Sequence, residues 1–259
     1  MQGKGLDISL AAGRLFTVWG IPVTNTLIAA WTVMVVLLVA AFIIGRAPTM
    51  LPTRVQNLFE MLFEYVLEFM ERTLQSRELA LRYFPLIVTI FLFIFTSNLF
   101  DFLPFFGSFG VEQGGVLVPF YRPVNTDLNV TLALAIISVF AIELAGIMAL
   151  GALAYAKKFI NFSSPLNFFV GILELVSEIS RLVSFSFRLF GNVFAGEVLL
   201  SVIALFIPYG APVPLMAFEM FVGFIQAIVF AMLTLFFIKM AITAPHSPSH
   251  SAEGMHVVQ

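Results

Sequence analysis

Long apolar runs broken by short polar clusters set the pattern of this chain. The first run, residues 26–44, has the length of one bilayer crossing and closes at Gly45-Arg46-Ala47-Pro48, where proline cannot continue a helix. Residues 52–81 behave differently. Leu58, Phe59, Leu62, Phe63, Val66, Leu67, Phe69 and Met70 recur at spacings of three and four, while Glu60, Glu64, Glu68 and Glu71 occupy another face. That is the period of an amphipathic helix, which either lies along a membrane surface or packs on a partner in water. A second crossing is expected over 84–103. The Gly- and Pro-rich stretch 105–127 reads as a loop, and a third crossing over 128–155 ends at Lys157-Lys158.

Two longer apolar segments follow, 165–207 and 213–242, joined by a turn at Pro208-Tyr209-Gly210-Ala211-Pro212. A helix over 165–207 would be roughly 64 Å long at ~1.5 Å per residue, against a hydrocarbon core of about 30 Å. It must tilt steeply, break, or run partly along the membrane, with Gly191 and Gly196 as bend points. The pattern predicts an all-α polytopic membrane protein: three crossings, a surface helix and a hairpin of two long, steeply tilted helices. The segment 1–24 has scattered polar groups and no compact apolar core, so no cleaved signal peptide is expected. The tail 245–259 is polar and expected to be flexible.

Composition sharpens this picture. Of 259 residues, 60% are hydrophobic and 11% charged, less than half the roughly 25% of a soluble domain. Mean hydropathy is +1.02. The net charge of -2 says nothing about nucleic acid, but the lack of basic runs argues against it as a partner. Cysteine is absent, which removes thiolate metal sites and thiol nucleophiles. His246, His250 and His256 in the tail do not have the pattern of a metal site, and no metal or cofactor is expected. No phosphate-binding loop is present, so the chain is not expected to hold a nucleotide-hydrolysing site. The 46–82 region, Lys157, Lys158 and Lys239 carry eight basic residues, whereas Lys4, Arg14 and Arg122 form the opposite set. Positive-inside counting places the N-terminus outside and the C-terminus in the cytoplasm.

Ionisable groups inside apolar helices cost about 2.5–3.5 kcal/mol each on insertion scales and are functional candidates for that reason. The 165–207 segment carries Glu174, Glu178, Arg181, Arg188 and Glu197. Glu174, Glu178, Arg181, Ser184, Arg188 and Asn192 share one stripe at about 100° per residue. Glu178 and Arg181, three apart, are placed to pair. Arg188 has no acid three or four positions away, and its guanidinium stays charged at any ordinary pH, so it needs a partner on another helix or another subunit. Glu197 falls on the opposite face, which suggests two compartments. On the last segment Glu219 and Gln226 share a face, and a hairpin brings Gln226 toward Arg188 and Glu219 toward Glu197. Glu197 and Glu219 are either a proton relay or two hydrogen-bonded structural groups. Asp101 ends the second crossing as a cap or anchor, Asp127 and Asn129 cap the third, and Glu143 within it either lines a water path or pairs with a cation.

The run from Ser184 to Glu197, with Arg188-Leu189-Phe190-Gly191-Asn192 followed by Ala195-Gly196-Glu197, resembles the signature of the F-type ATP synthase subunit a family. Pro22-Val23-Thr24-Asn25-Thr26, Ser97-Asn98-Leu99-Phe100-Asp101-Phe102-Leu103-Pro104, Asp127-Leu128-Asn129-Val130-Thr131, Phe224-Ile225-Gln226-Ala227 and Met232-Leu233-Thr234 match in order and spacing. The resemblance implies a membrane stator subunit that packs its long hairpin on a ring of c subunits, alongside b subunits of the peripheral stalk and the rest of the complex. It implies proton translocation through two offset half-channels in an energy-transducing membrane, bacterial or organellar. Arg188 matches the essential arginine and Gln226 the glutamine facing it. Glu197 and Glu219 match the outer half-channel pair, in which some members carry histidine. Asn192, Ser184 and Glu174 match polar positions along the path. Two other classes compete. A secondary transporter or ring-free channel predicts repeated halves, and none are seen. A membrane scaffold predicts tolerance of Arg188→Ala.

Overall fold

The computed structural model describes residues 13–18, 20–45, 54–102, 110–113, 116–119, 121–159 and 165–243. Arg46 and Pro48, residues 1–12 and the tail from Pro245 with its three histidines lie outside the described residues.

A short antiparallel hairpin, β1 (Arg14–Val18) and β2 (Ile21–Thr24), turns at Gly20 with φ +83° and leads into α1 (Asn25–Gly45). Thr24 Oγ1 accepts from the Leu27 amide, which satisfies one of the free N–H groups at the helix start. The amphipathic helix α2 (Arg54–Leu74) ends in a turn at Gln75, φ +56°, and Ser76 caps α3 (Arg77–Phe100) by accepting from Leu79 N at 3.4 Å. A second hairpin, β3 (Gly110–Gln113) and β4 (Val116–Pro119), and a 3₁₀ turn at Val124–Thr126 precede α4 (Leu128–Leu150), which Asp127 caps through Asn129 N at 2.9 Å. Gly151, at φ +84° and ψ 145°, turns the chain into α5 (Ala152–Phe159). Then come α6 (Pro165–Phe206) and α7 (Pro212–Ile242), joined through Gly210 at φ +88°.

Among the described residues α1, α3, α4, α6 and α7 are long and apolar enough to cross a membrane. In lipid, apolar helices gain little from hiding apolar surface from one another, so close packing and buried polar contacts must hold them together. Small residues sit where the helices meet: Ala80, Ala135, Ala145, Ala227 and Ala231 are fully or almost fully buried. One core joins α2, α3, α4 and α7 around Met70, Ile87, Ile142 and Leu235. A second joins α3, α4, α6 and α7 around Ile94, Phe185, Leu189 and Phe230. Thr26 Oγ1 donates to Asp127 Oδ2 at 2.7 Å and ties the start of α1 to the start of α4.

The elements differ from the sequence expectation in four places. The surface helix expected over 52–81 stops at Leu74, and α3 begins at Arg77 rather than at residue 84, because the Ser76 cap interrupts an otherwise periodic pattern. The crossing expected over 128–155 stops at Leu150, where Gly151 adopts a backbone geometry open only to glycine. The loop expected over 105–127 holds a hairpin and a 3₁₀ turn, and the N-terminal segment holds another hairpin, as short strands on an all-α membrane fold. Of the three outcomes for the long segment, a break does not occur: α6 is one helix of 42 residues, roughly 63 Å long, uninterrupted at Gly191 and Gly196.

Candidate functional site: two cavities along the α6–α7 hairpin

An unbroken α6 fixes the angular phase of every polar group it carries. Arg188 projects from its middle, exposed, and donates from Nη2 to Ser184 Oγ at 3.1 Å. Among the described residues no carboxylate lies within ion-pair distance of it. It lines a cavity of about 280 Å³ together with Ser177, Ser180, Arg181, Ser184 and Phe237.

A second cavity, also about 280 Å³, lies beyond Arg188 toward the α6–α7 turn, and Asn98, Asp101, Asn192, Glu197, Glu219 and Gln226 line it. Asn192 Nδ2 donates to Gln226 Oε1 at 2.8 Å. Glu219 lies so close to Gly196 that a Cβ there would stand 2.6 Å from Glu219 Oε1. Glu197 Oε2, Glu219 Oε1 and Asp101 Oδ2 are buried without a hydrogen-bond partner. Asn98 Nδ2 donates to the Gly223 carbonyl at 2.9 Å, and Asn98 Oδ1 accepts from Asn125 Nδ2 at 2.7 Å, which pins α3 and the 3₁₀ turn to α7 at the cavity wall. Tyr121 Oη donates to Asp101 Oδ1 at 3.4 Å. Burial pushes the Asp101 carboxyl well above the usual carboxylate range, the Glu197 carboxylate adds to this, and the Tyr121 hydroxyl opposes it. Burial likewise raises the Tyr121 phenol, with Asp101 adding to the effect.

Between the two cavities the hairpin is closed by side chains. Phe185, Leu189, Ala227 and Phe230 are almost fully buried, and the Phe185 and Phe230 rings meet with centroids 4.8 Å apart. Carboxyl groups with unpaired oxygens on cavity walls are suited to taking up and giving back protons, and a fixed cation between two such spaces is a barrier to a bare proton.

Of the remaining sequence candidates Arg181 lines the Arg188 cavity, and Glu143, Glu174 and Glu178 line neither cavity. Arg181 Nη1 donates to Glu178 Oε2 at 2.6 Å while its guanidinium sits 4.1 Å from the Phe237 ring centroid. Glu174 does not line either cavity; Lys158 Nζ of α5 holds its Oε1 at 2.6 Å. Glu143 of α4 faces Tyr155 and Glu178. Sequence reasoning overlooked Asn98 and Lys158 as parts of these arrangements. Asn98 was marked by being an amide inside an apolar run, and Lys158 only by flanking one.

Helices of this length and hydropathy, with ionisable groups on a long apolar hairpin, define a polytopic α-helical membrane protein. The chain belongs to the ATP synthase A chain family, matching it over residues 27–239. It is 31% identical to the ATP synthase subunit a of Moorella thermoacetica over 228 residues, which is 87% of this chain and 94% of that protein. It is 33% identical to that of a Sulfurihydrogenibium species over 216 residues, 83% of this chain and 96% of the relative. For the Campylobacter jejuni subunit the identity is 34% over 205 residues, 78% of this chain and 83% of the relative.

Proposed function

We propose that this chain is the stator of a proton-driven rotary motor within an F-type ATP synthase, with Arg188 as the residue that couples proton flow to rotation. The carrying observation is the pair of cavities of about 280 Å³ that lie on either side of a partition of buried apolar side chains beside Arg188. The cavity with Glu197 and Glu219 acts as the outer half-channel, and the one with Ser184 and Arg181 as the inner half-channel. Gln226 and Asn192 hold the wall between them. A proton enters through Glu219 and Glu197 and reaches a buried carboxylate on a neighbouring c subunit. On the other side of Arg188 the guanidinium attracts that carboxylate once it is ionised, and the released proton leaves through the inner cavity. The partition obliges each proton to travel with the ring. A proton crossing 100 mV carries about 2.3 kcal/mol, which becomes torque only under that restriction.

The exposed apolar face of α6, with Leu173, Val176, Ile179, Val183 and Phe187, is the surface offered to the ring. Subunits b of the peripheral stalk complete the stator. The membrane is the bacterial plasma membrane, with the N-terminus outside, and the ion is the proton.

The test is ATP-driven proton uptake by the purified complex in liposomes, wild type against Arg188→Ala. Loss of uptake with an assembled complex supports the coupling role. Uptake at the wild-type rate removes Arg188 from the mechanism.

A further inference from the structure

On the Arg181 side of the partition lies a group of ionisable side chains of which only Arg181 lines a cavity. Three carboxylates, Glu143, Glu174 and Glu178, stand against two cations, Lys158 and Arg181, which leaves one negative charge among the described side chains. Lys158 Nζ is 2.6 Å from Glu174 Oε1 and 3.7 Å from Glu178 Oε1, and Arg181 Nη1 is 2.6 Å from Glu178 Oε2. Among the described residues no cation lies within ion-pair distance of Glu143. It faces Glu178 across the α4–α6 contact and the Tyr155 hydroxyl from α5.

Three buried oxygens are left without hydrogen-bond partners where these helices meet: Glu143 Oε1, Glu178 Oε1 and Tyr155 Oη. Tyr155 is only 3% exposed and Glu178 8%. Burial, reinforced by Glu143, raises the Tyr155 phenol, which therefore stays a donor. Two facing carboxylates in a low-dielectric site repel strongly unless a proton lies between them. One proton cancels the excess charge and supplies the missing hydrogen bond.

We propose that Glu143, Tyr155 and Glu178 form a proton-holding station behind the Arg188 cavity, in which one proton is shared between the two carboxyl groups beside the tyrosine hydroxyl. The station rests on the coupling role of Arg188 given above and names what receives the proton there. Arg181 connects the two, since it binds Glu178 and also lines the Arg188 cavity. The groups that face the station are Tyr155 and Lys158 from α5 and Glu174 and Arg181 from α6; α7 contributes the Phe237 ring under Arg181. Transfer breaks one O–H bond on the donor and makes one on a station carboxylate. Release to water on the same side reverses it.

The test uses the whole reconstituted complex and two readouts: the pH profile of ATP-driven proton uptake, and the infrared absorption of protonated carboxyl groups. Glu143→Gln is expected to remove one protonated-carboxyl band, because Glu178 then ionises beside Arg181 and Lys158. It is expected to lower uptake about a hundredfold and to change the pH profile. Glu143→Asp restores the band and most of the uptake. An unchanged band and pH profile in Glu143→Gln overturns the station. If Glu143→Gln does not assemble, Tyr155→Phe, which removes a single oxygen, decides it: a shifted pH profile supports the station and a wild-type profile overturns it. Arg188→Ala is expected to abolish uptake while keeping the band, so failure of the coupling role and failure of the station are read separately.

Discussion

Asn192 and Gln226 meet at 2.8 Å across the α6–α7 hairpin, one helical turn beyond Arg188. Gln226 is 4% exposed, and its Nε2 has no partner among the described residues. The bond is therefore the one polar tie recorded for either amide at the level where the two cavities are separated. Removing Asn192 leaves the buried Gln226 carbonyl unsatisfied, whereas Asn192 is exposed and its amide stays accessible. Asn192→Ala and Gln226→Ala are each expected to cost about 1 kcal/mol, and the double variant to cost less than their sum. Thermal denaturation of the four complexes in a double-mutant cycle checks this; full additivity would show that the two amides do not interact.

Gly196 is required by Glu219 rather than by its own backbone. A Cβ at this position would lie 2.6 Å from Glu219 Oε1 and 2.9 Å from its Cδ. Gly196→Ala is expected to push the Glu219 side chain out of the cavity wall and to reduce proton uptake by about a hundredfold. Shortening the acid with Glu219→Asp in the same chain should recover part of that loss. Uptake measurements on the single and double variants decide it, and wild-type uptake in Gly196→Ala would mean that the helices separate at no functional cost.

Gly151 has φ +84° and ψ 145° between α4 and α5. A side chain there is strained by about 1–3 kcal/mol. Gly151→Ala is expected to lower the thermal midpoint and to loosen the Lys158–Glu174 ion pair, because α5 is held in place by the turn. Protease sensitivity of the α4–α5 junction, higher in the variant than in the wild type, is the second readout.

Asp101 gives a pH dependence whose sign can be worked out. Its carboxyl is raised from an ordinary value of 3.8 by burial first and by Glu197 next. The folded chain binds this proton more tightly than the unfolded one, so the contribution of Asp101 to stability falls as pH rises from the ordinary value through the folded one. Asp101→Asn keeps the shape and cannot ionise. It should melt higher than the wild type near neutral pH and show a flatter stability profile; parallel profiles would assign the pH dependence to another group.

The sequence made some of this legible for simple reasons. Arg188 stands out because a permanent cation in an apolar run, with no acid one turn away, has to be matched by something distant. The hairpin could be read from length alone, since an apolar segment as long as α6 admits few dispositions. Glu197 and Glu219 could be brought to one level by counting outward from Pro208 and Pro212. What escaped were features decided by a single residue or by tertiary approach. Gly151 looked like one more small residue in an apolar run, although its backbone ends the helix. The Ser76 cap was hidden inside an amphipathic period that carries on past it. Lys158 read as the charged flank of a crossing, because its partner Glu174 lies on another helix and is reached only after the chain has doubled back at Gly151.

The continuity of α6 also has a consequence for how this chain can change. Every group it presents is indexed by one screw operation, about 100° and 1.5 Å per residue. Exchanging a side chain alters one station on that scale and leaves the rest in phase. Inserting or deleting one residue between Arg188 and Glu197 turns everything beyond it by about a quarter of a revolution, which takes Gly196 away from Glu219 and Asn192 or Glu197 away from the cavity wall together. The helix is thus far more open to substitution than to any change in length.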